Sequence, residues 1–200
     1  MFRSMERLGE WSFRGYLPHY DAASTLQLIT FRLADSLPTY VKAKLAELAL
    51  TDSQHRRQEE RYLDSGYGSR LLERFENAEI VQSALLYFHV KRYFLHAWVV
   101  MPNHLHVLIE PLNGFTIGQI VKSWKVFTSR QIAKHENEFF QKYRRIWQPD
   151  YFDRYIRDEE HYHDAVDYIH KNPVNAGLVK CSLDWRWSSA RKCAGVPPFK

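Results

Sequence analysis

Two short runs of this chain carry residues suited to chemistry. In the first, His104 and His106 flank a single leucine within a stretch that alternates like a β-strand. Side chains at i and i+2 of a strand share a face, so both imidazoles project one way while Leu105, Val107 and Ile109 project the other, toward a helix layer. Two imidazoles placed this way are half a site for a divalent cation. The same spacing also suits two solvent-facing histidines on the open face of a sheet. The second run is Tyr168-Ile-His-Lys-Asn172. On a helix, i and i+4 lie on one face, so the Tyr168 phenol and the Asn172 amide project together. His161 and Asp164 fall near that face, and Tyr162, Ala165, Val166 and Ile169 form the buried side. An amide oxygen is a hard ligand that would complete a site with two imidazoles, leaving the phenol within reach of whatever a metal polarises. The alternative is a packed tyrosine near a helix end, with Asn172 as the C-terminal cap.

Charge adds a third feature. Between Thr116 and Arg157 there are nine basic and four acidic residues, an excess that equals the net charge of +5 for the whole chain. Trp124, Phe139, Phe140, Tyr143, Trp147 and Tyr151 are interleaved with them. Basic residues neutralise phosphates, and aromatic faces stack unpaired bases at ~1–3 kcal/mol per base. A solvated helix face above core aromatics has the same composition.

These residues must be held by a fold. Thr25–Leu33 is β-branched and aromatic and predicts a strand. Thr39–Leu63 is rich in good helix formers and predicts one or two helices, ending at Ser65-Gly-Tyr-Gly68. Asn77–Val90 has one apolar face and predicts another helix. Tyr93–Val100 and His104–Ile109 form a hairpin around Met101-Pro-Asn103. Thr116 and Gln119 match a capping box opening a helix to about Lys134. Trp147–Arg157 predicts a strand. The last helix is capped by Asp158 and is expected to stop at Pro173. Arg14–His19 reads as irregular. The order is strand, helix, strand, strand, helix, strand, helix: an α+β sandwich on a central antiparallel sheet, close to the ferredoxin-like order. The 200 residues read as one domain, with a helical insertion over 39–68 and a basic aromatic tail over 180–200.

Composition narrows the class. With 45% apolar and 26% charged residues, the chain is ordinary globular protein rather than disordered or low-complexity. Cys181 and Cys193 build neither a disulfide framework nor a zinc site and suit a reducing cytoplasm. No stretch reaches the ~20 apolar residues of a membrane helix, and the N-terminus lacks a signal-peptide core. The expectation is a soluble cytoplasmic protein without a membrane partner.

Trp98-Val-Val-Met-Pro-Asn-His-Leu-His-Val-Leu-Ile-Glu110 resembles the HUH motif (His, bulky hydrophobic, His) of tyrosine transposases that act on single-stranded DNA. Tyr168-Ile-His-Lys-Asn-Pro-Val-Asn-Ala-Gly-Leu-Val179 is similar to the tyrosine-bearing helix of the REP-associated tyrosine transposases. Arg14–His19, Ile29–Leu33, Trp147-Gln148, Ile156–Glu160 and Trp187–Ala190 fit the same subgroup. The resemblance implies an HUH endonuclease domain with His104, His106 and Asn172 as ligands of Mg²⁺ or Mn²⁺. Tyr168 would be the nucleophile, forming a 5′-phosphotyrosine. Insertion-sequence relatives carry glutamine where this chain has the shorter Asn172. A phenol of pKa near ~10 needs a cation or a base, and His161 is one candidate. The implied activity is nicking and joining of single-stranded, hairpin-bearing DNA by a monomer or homodimer. Strand exchange would reuse Tyr168 or draw on a second subunit. A domesticated hairpin-binding protein and a metallohydrolase using activated water are the alternatives. The resemblance points to Arg14, Tyr16 and His19 for reading the hairpin flank, and Lys122, Lys125, Arg144 and Arg145 are the expected backbone contacts. Neutralising Arg144 and Arg145 together is expected to weaken hairpin binding for all sequences and to flatten its salt dependence, measured by fluorescence anisotropy across a salt series. An unchanged affinity and slope would remove both residues from the interface.

Overall fold

A computed structural model describes residues 10–13, 18–21, 24–48 and 51–191. A short antiparallel hairpin, β1 (Glu10–Phe13) and β2 (Pro18–Asp21), comes first, so Pro18 and His19, expected to be irregular, are in a strand. Then follow β3 (Gln27–Arg32), α1 (Thr39–Glu47), α2 (Asp52–Asp64), α3 (Phe75–Tyr87), β4 (Tyr93–Val100) and β5 (His104–Pro111). The chain continues through α4 (Ile117–Ile132), α5 (Asn137–Tyr143), β6 (Phe152–Tyr155) and α6 (Glu159–Asn175). The main sheet has the order β4-β5-β3-β6, antiparallel throughout. Its first strand in sequence thus lies between the third and the last, which is the ferredoxin-like arrangement expected from the element order. Among the described residues, no helix is long and apolar enough to cross a membrane.

Strand alternation sorts the core into two layers. Ile29, Phe31 and Leu33 of β3 and its extension, with Leu105, Val107 and Ile109 of β5, pack under α3 and α4. Residues of opposite parity, including Ala97, Val99 and Leu108, pack under Tyr162, Ala165 and Ile169 of α6. The histidine face is therefore covered, not open as the strand pattern alone suggests. The α1–α2 insertion adds a small core of its own, Leu37, Val41, Leu45 and Leu63.

Local signals explain most boundaries. Thr116 accepts from Gln119 N while the Gln119 side chain accepts from Thr116 N, so the capping box that opens α4 is complete. Asp158 caps α6 by accepting from His161 N at 2.8 Å. Pro173, expected to stop α6, instead lies within it. Proline this close to a helix end removes only one backbone donor, and the final turn closes through Ala176 N–H donating to the Asn172 carbonyl at 3.0 Å. The expected strand over 147–157 is shorter, with α5 preceding it and only 152–155 in the ladder. The described part of the tail is not loose. Val100 N–H donates to the Trp187 carbonyl at 2.8 Å, and Trp98 N–H to Ser189 Oγ at 2.9 Å, so the tail runs along β4.

A buried relay joins the helical layer to the sheet. Tyr93 Oη donates to the Leu85 carbonyl at 2.7 Å and accepts from Trp124 Nε1 at 2.9 Å. Tyr93→Phe would leave both partners unpaired, an expected loss of about 2–3 kcal/mol. For a domain of this size that lowers Tm by roughly 4–12 °C, measurable by thermal melting.

Candidate active site

The site lies on the sheet face beneath α6, with the end of α2 closing one side. His104 and His106 come from β5, and both are fully buried (1% and 0% exposed). Their Nε2 atoms stand 3.1 Å apart. Asn103 fixes the His104 tautomer. Its Nδ2 donates to the Leu63 carbonyl at 3.0 Å and the Tyr67 carbonyl at 2.9 Å, which leaves Oδ1 to accept from His104 Nδ1 at 2.6 Å. With the proton on Nδ1, His104 Nε2 carries a lone pair. His106 Nδ1 lies 2.7 Å from Thr30 Oγ1 of β3. Burial pushes His106 down to about 3, and burial followed by the neighbouring His106 and Arg32 holds His104 well below the usual imidazole range. Both rings are neutral at physiological pH, the state that binds metals.

Tyr168 and Asn172 arrive from α6. The Tyr168 hydroxyl is 3.3 Å from His106 Nε2, and the ring packs edge-on to the imidazole with centroids 5.0 Å apart. Burial pushes the phenol far above its usual pKa, and the negative charges of Glu60 and Asp64 push the same way. The Asn172 amide opposes this rise at Tyr168 and also at Asp64, so it sits between them. Asn172 Oδ1 is buried with no hydrogen-bond donor facing it. A capping side chain would be bonded to backbone at the helix end, so the capping alternative is set aside. Beside Tyr168 opens a cavity of about 540 Å³, lined by Thr30, Arg57, Glu60, Arg154 and His161 among others. His161 accepts weakly from Arg157 N at 3.3 Å, and burial, then Arg154 and Arg157, lower its pKa.

A divalent cation fits the donors present. Two ligands of one ion with bonds near ~2.1 Å stand about 3.0–3.4 Å apart, and the two imidazole nitrogens meet that spacing. The orphaned amide oxygen of Asn172 supplies a third donor. Among the described residues, no three His, Cys, Asp or Glu side chains are already gathered at metal-binding spacing. The set is two imidazoles and an amide.

The other sequence candidates are scattered. Arg14 and Tyr16 lie outside the described residues, and His19 is in β2, in register with Ser12. Lys122, Arg144 and Arg145 are exposed. Lys125 departs from the expectation of a backbone contact. Its ammonium donates to the carbonyls of Gln148, Pro149 and Asp150 at 2.8–3.2 Å, over the rings of Phe31 and Tyr151. Burial brings its pKa down to about 7, so this cation ties down a turn rather than a phosphate. Three residues escaped the sequence reading. Asn103 was seen only as part of a turn. Asp64 and Lys42 lie in the insertion, where no local pattern marks them. Lys42 is drawn near Arg32 and Arg145, whose charges add to partial burial in lowering its pKa.

Residues 74–172 match the family model described as "Transposase IS200 like", a span holding all four site residues. The chain's relatives include REP-associated tyrosine transposases. It is 34% identical over 96 residues to a putative REP-associated tyrosine transposase of Haemophilus influenzae, covering 45% of this chain and 54% of the relative. It is also 34% identical over 95 residues to the REP-associated tyrosine transposase of Escherichia coli, covering 48% and 53%. The matches thus span about half the length of these relatives. In fold, the chain is similar to a solved REP-associated tyrosine transposase bound to a REP hairpin. The TM-score is 0.59 at 22% identity, covering 93% of this chain and 89% of that one.

Asn103 is the residue on which this geometry turns. Asn103→Ala would strand a buried imidazole N–H and two carbonyls, for an expected cost of about 2–4 kcal/mol in urea unfolding. A loss below about 1 kcal/mol would show that the amide does not hold the site together.

Proposed function

We propose that this protein is a metal-dependent single-strand DNA endonuclease and strand transferase acting on hairpin-forming repeats. The observation that carries the reading is the alignment of Tyr168 Oη, His106 Nε2 and His104 Nε2, at 3.3 and 3.1 Å steps, beside a cavity flanked by arginines. The names of the relatives and the REP hairpin bound by the solved relative support the choice of DNA.

In this reading Tyr168 Oη attacks phosphorus as the O3′ bond breaks, giving a 5′-phosphotyrosine and a free 3′-hydroxyl. The phenolic proton balances the hydroxyl released. One phosphodiester replaces another, so no nucleotide cofactor is required, and attack by a 3′-hydroxyl on the phosphotyrosine rejoins strands. His104, His106 and Asn172 would hold Mg²⁺ or Mn²⁺, which supplies Lewis acidity, orients the scissile phosphate and offsets the charge of Glu60 and Asp64. Thr30 and Asn103 keep the two imidazoles aimed, and burial keeps them neutral. Burial keeps water from competing with the phenol but also keeps the phenol protonated, so Tyr168 alone is a poor nucleophile. Arg57 and Arg154 lie where a strand entering the cavity would bring its phosphates. Arg14, Tyr16 and His19 for the flank, and Lys122, Arg144 and Arg145 for the hairpin backbone, complete the proposed DNA contacts.

The test uses a 3′-labelled single-stranded oligonucleotide bearing a REP-like hairpin and its flank, incubated with and without Mn²⁺ or Mg²⁺ and run on a denaturing protein gel. The expected result is a metal-dependent shifted band that is lost in Tyr168→Phe. An adduct surviving in Tyr168→Phe would move the nucleophile to another tyrosine. Tight hairpin binding without any adduct would favour a binding protein that no longer cuts.

A further inference from the structure

The end of α2 places a partly exposed carboxylate against the histidines, and one of its two oxygens lacks a hydrogen-bond donor. Asp64 Oδ1 is 3.6 Å from His104 Nε2 and has no hydrogen-bond donor. At that separation the two atoms share no hydrogen bond. Two buried oxygens here, Asp64 Oδ1 and Asn172 Oδ1, lack donors, and Asp64 Oδ1 faces His104 Nε2. Converging lone pairs repel one another unless a proton or a cation lies among them.

The helix makes matters worse for the carboxylate. Asp64 is the last residue of α2, where the helix dipole disfavours negative charge, and Glu60 precedes it by one turn on the same face. Burial and then Glu60 both work against its ionised form. Residues set against their local preferences are expected at functional or strained sites. Two devices hold Asp64 there regardless. Asn103 bonds the carbonyls of Leu63 and Tyr67 on either side of Asp64, and Glu59 pairs with Arg32 of β3 at 2.6 Å.

We infer that Asp64 is a fourth protein ligand, contributed by the insertion, to a hard divalent cation held by His104, His106 and Asn172. The inference rests on the reading of this site as a metal site. Its separation from His104 lies within the span two ligands of one ion allow, up to ~4.2 Å for bonds near ~2.1 Å. The carboxylate has the complementary charge, and with the Asn172 oxygen it shifts an imidazole pair toward oxygen-preferring ions such as Mn²⁺.

Calorimetric titration of the metal-free full chain with Mn²⁺ and, separately, Ni²⁺ tests this in wild type, Asp64→Asn and His106→Ala. Asp64→Asn is expected to weaken Mn²⁺ binding at least tenfold and Ni²⁺ binding less than threefold, while His106→Ala weakens both. Metal-free Asp64→Asn should melt no lower than wild type, because the substitution relieves repulsion. Wild-type Mn²⁺ affinity in Asp64→Asn, with binding lost in His106→Ala, would overturn the Asp64 assignment and leave the metal reading standing. Equal loss of both ions together with a lowered Tm would make Asp64 a structural residue and overturn the assignment too. Failure of wild type to bind either ion would overturn both readings. Iron-directed cleavage of the wild-type chain needs no variant: cuts near Asp64 as well as near His104 and Asn172 are expected, and cuts confined to the latter two would also overturn the assignment.

Discussion

A single carboxamide organises this molecule. Asn103 sits in the tight connection between β4 and β5, and its carboxamide and backbone carbonyl are all committed. Its backbone carbonyl accepts from Leu33 N–H at the end of β3. Its side chain holds the exit of α2 and sets the tautomer of His104. Three separate stretches of chain, the central strand, the insertion and the histidine strand, therefore meet at one buried residue that has partners in all of them. No other residue type of that size offers two donors and an acceptor in fixed relation.

Around that point the fold concentrates unfavourable electrostatics. The helical layer on the far side of the sheet is built from large apolar side chains and is tied to the sheet by the Tyr93 relay. The near side holds neutral histidines, a raised phenol, an unpartnered amide oxygen and a carboxylate at the wrong end of a helix. The first layer supplies the stability that lets the second exist. Arg32 illustrates the division: it leaves β3 on the site side and, despite burial that lowers its pKa, is kept there by Glu59.

Much of this was legible in the sequence because it depends on short periodicities. The HxH alternation and the four-residue step from Tyr168 to Asn172 each describe one face of one element, and the chain keeps them. The βαββαβ order was legible for the same reason, as were the complete capping box of α4 and the Asp158 cap of α6. What escaped depends on contacts between distant segments. Burial of the histidines comes from α6 and the end of α2, neither of which is visible from β5. Asp64 is forty residues from His104, the histidine it faces. Lys125 looked like a surface base because counting charges does not reveal three carbonyls 23 to 25 residues ahead. Pro173 misled because its cost depends on how many helical bonds follow it, and here almost none do.

The sheet order bears on how the conserved unit of such proteins is defined. The segment shared with the IS200-like family runs from 74 to 172 and contains β4, β5 and β6. It omits β3, which separates β5 from β6 and hydrogen-bonds to both. Excised on its own, that segment would have a gap one strand wide in the middle of its sheet, exposing the inner edge of β5 and leaving β6 unattached. Similarity along the chain and autonomy in space therefore have different boundaries here, and a smallest self-standing piece has to reach back at least to Gln27.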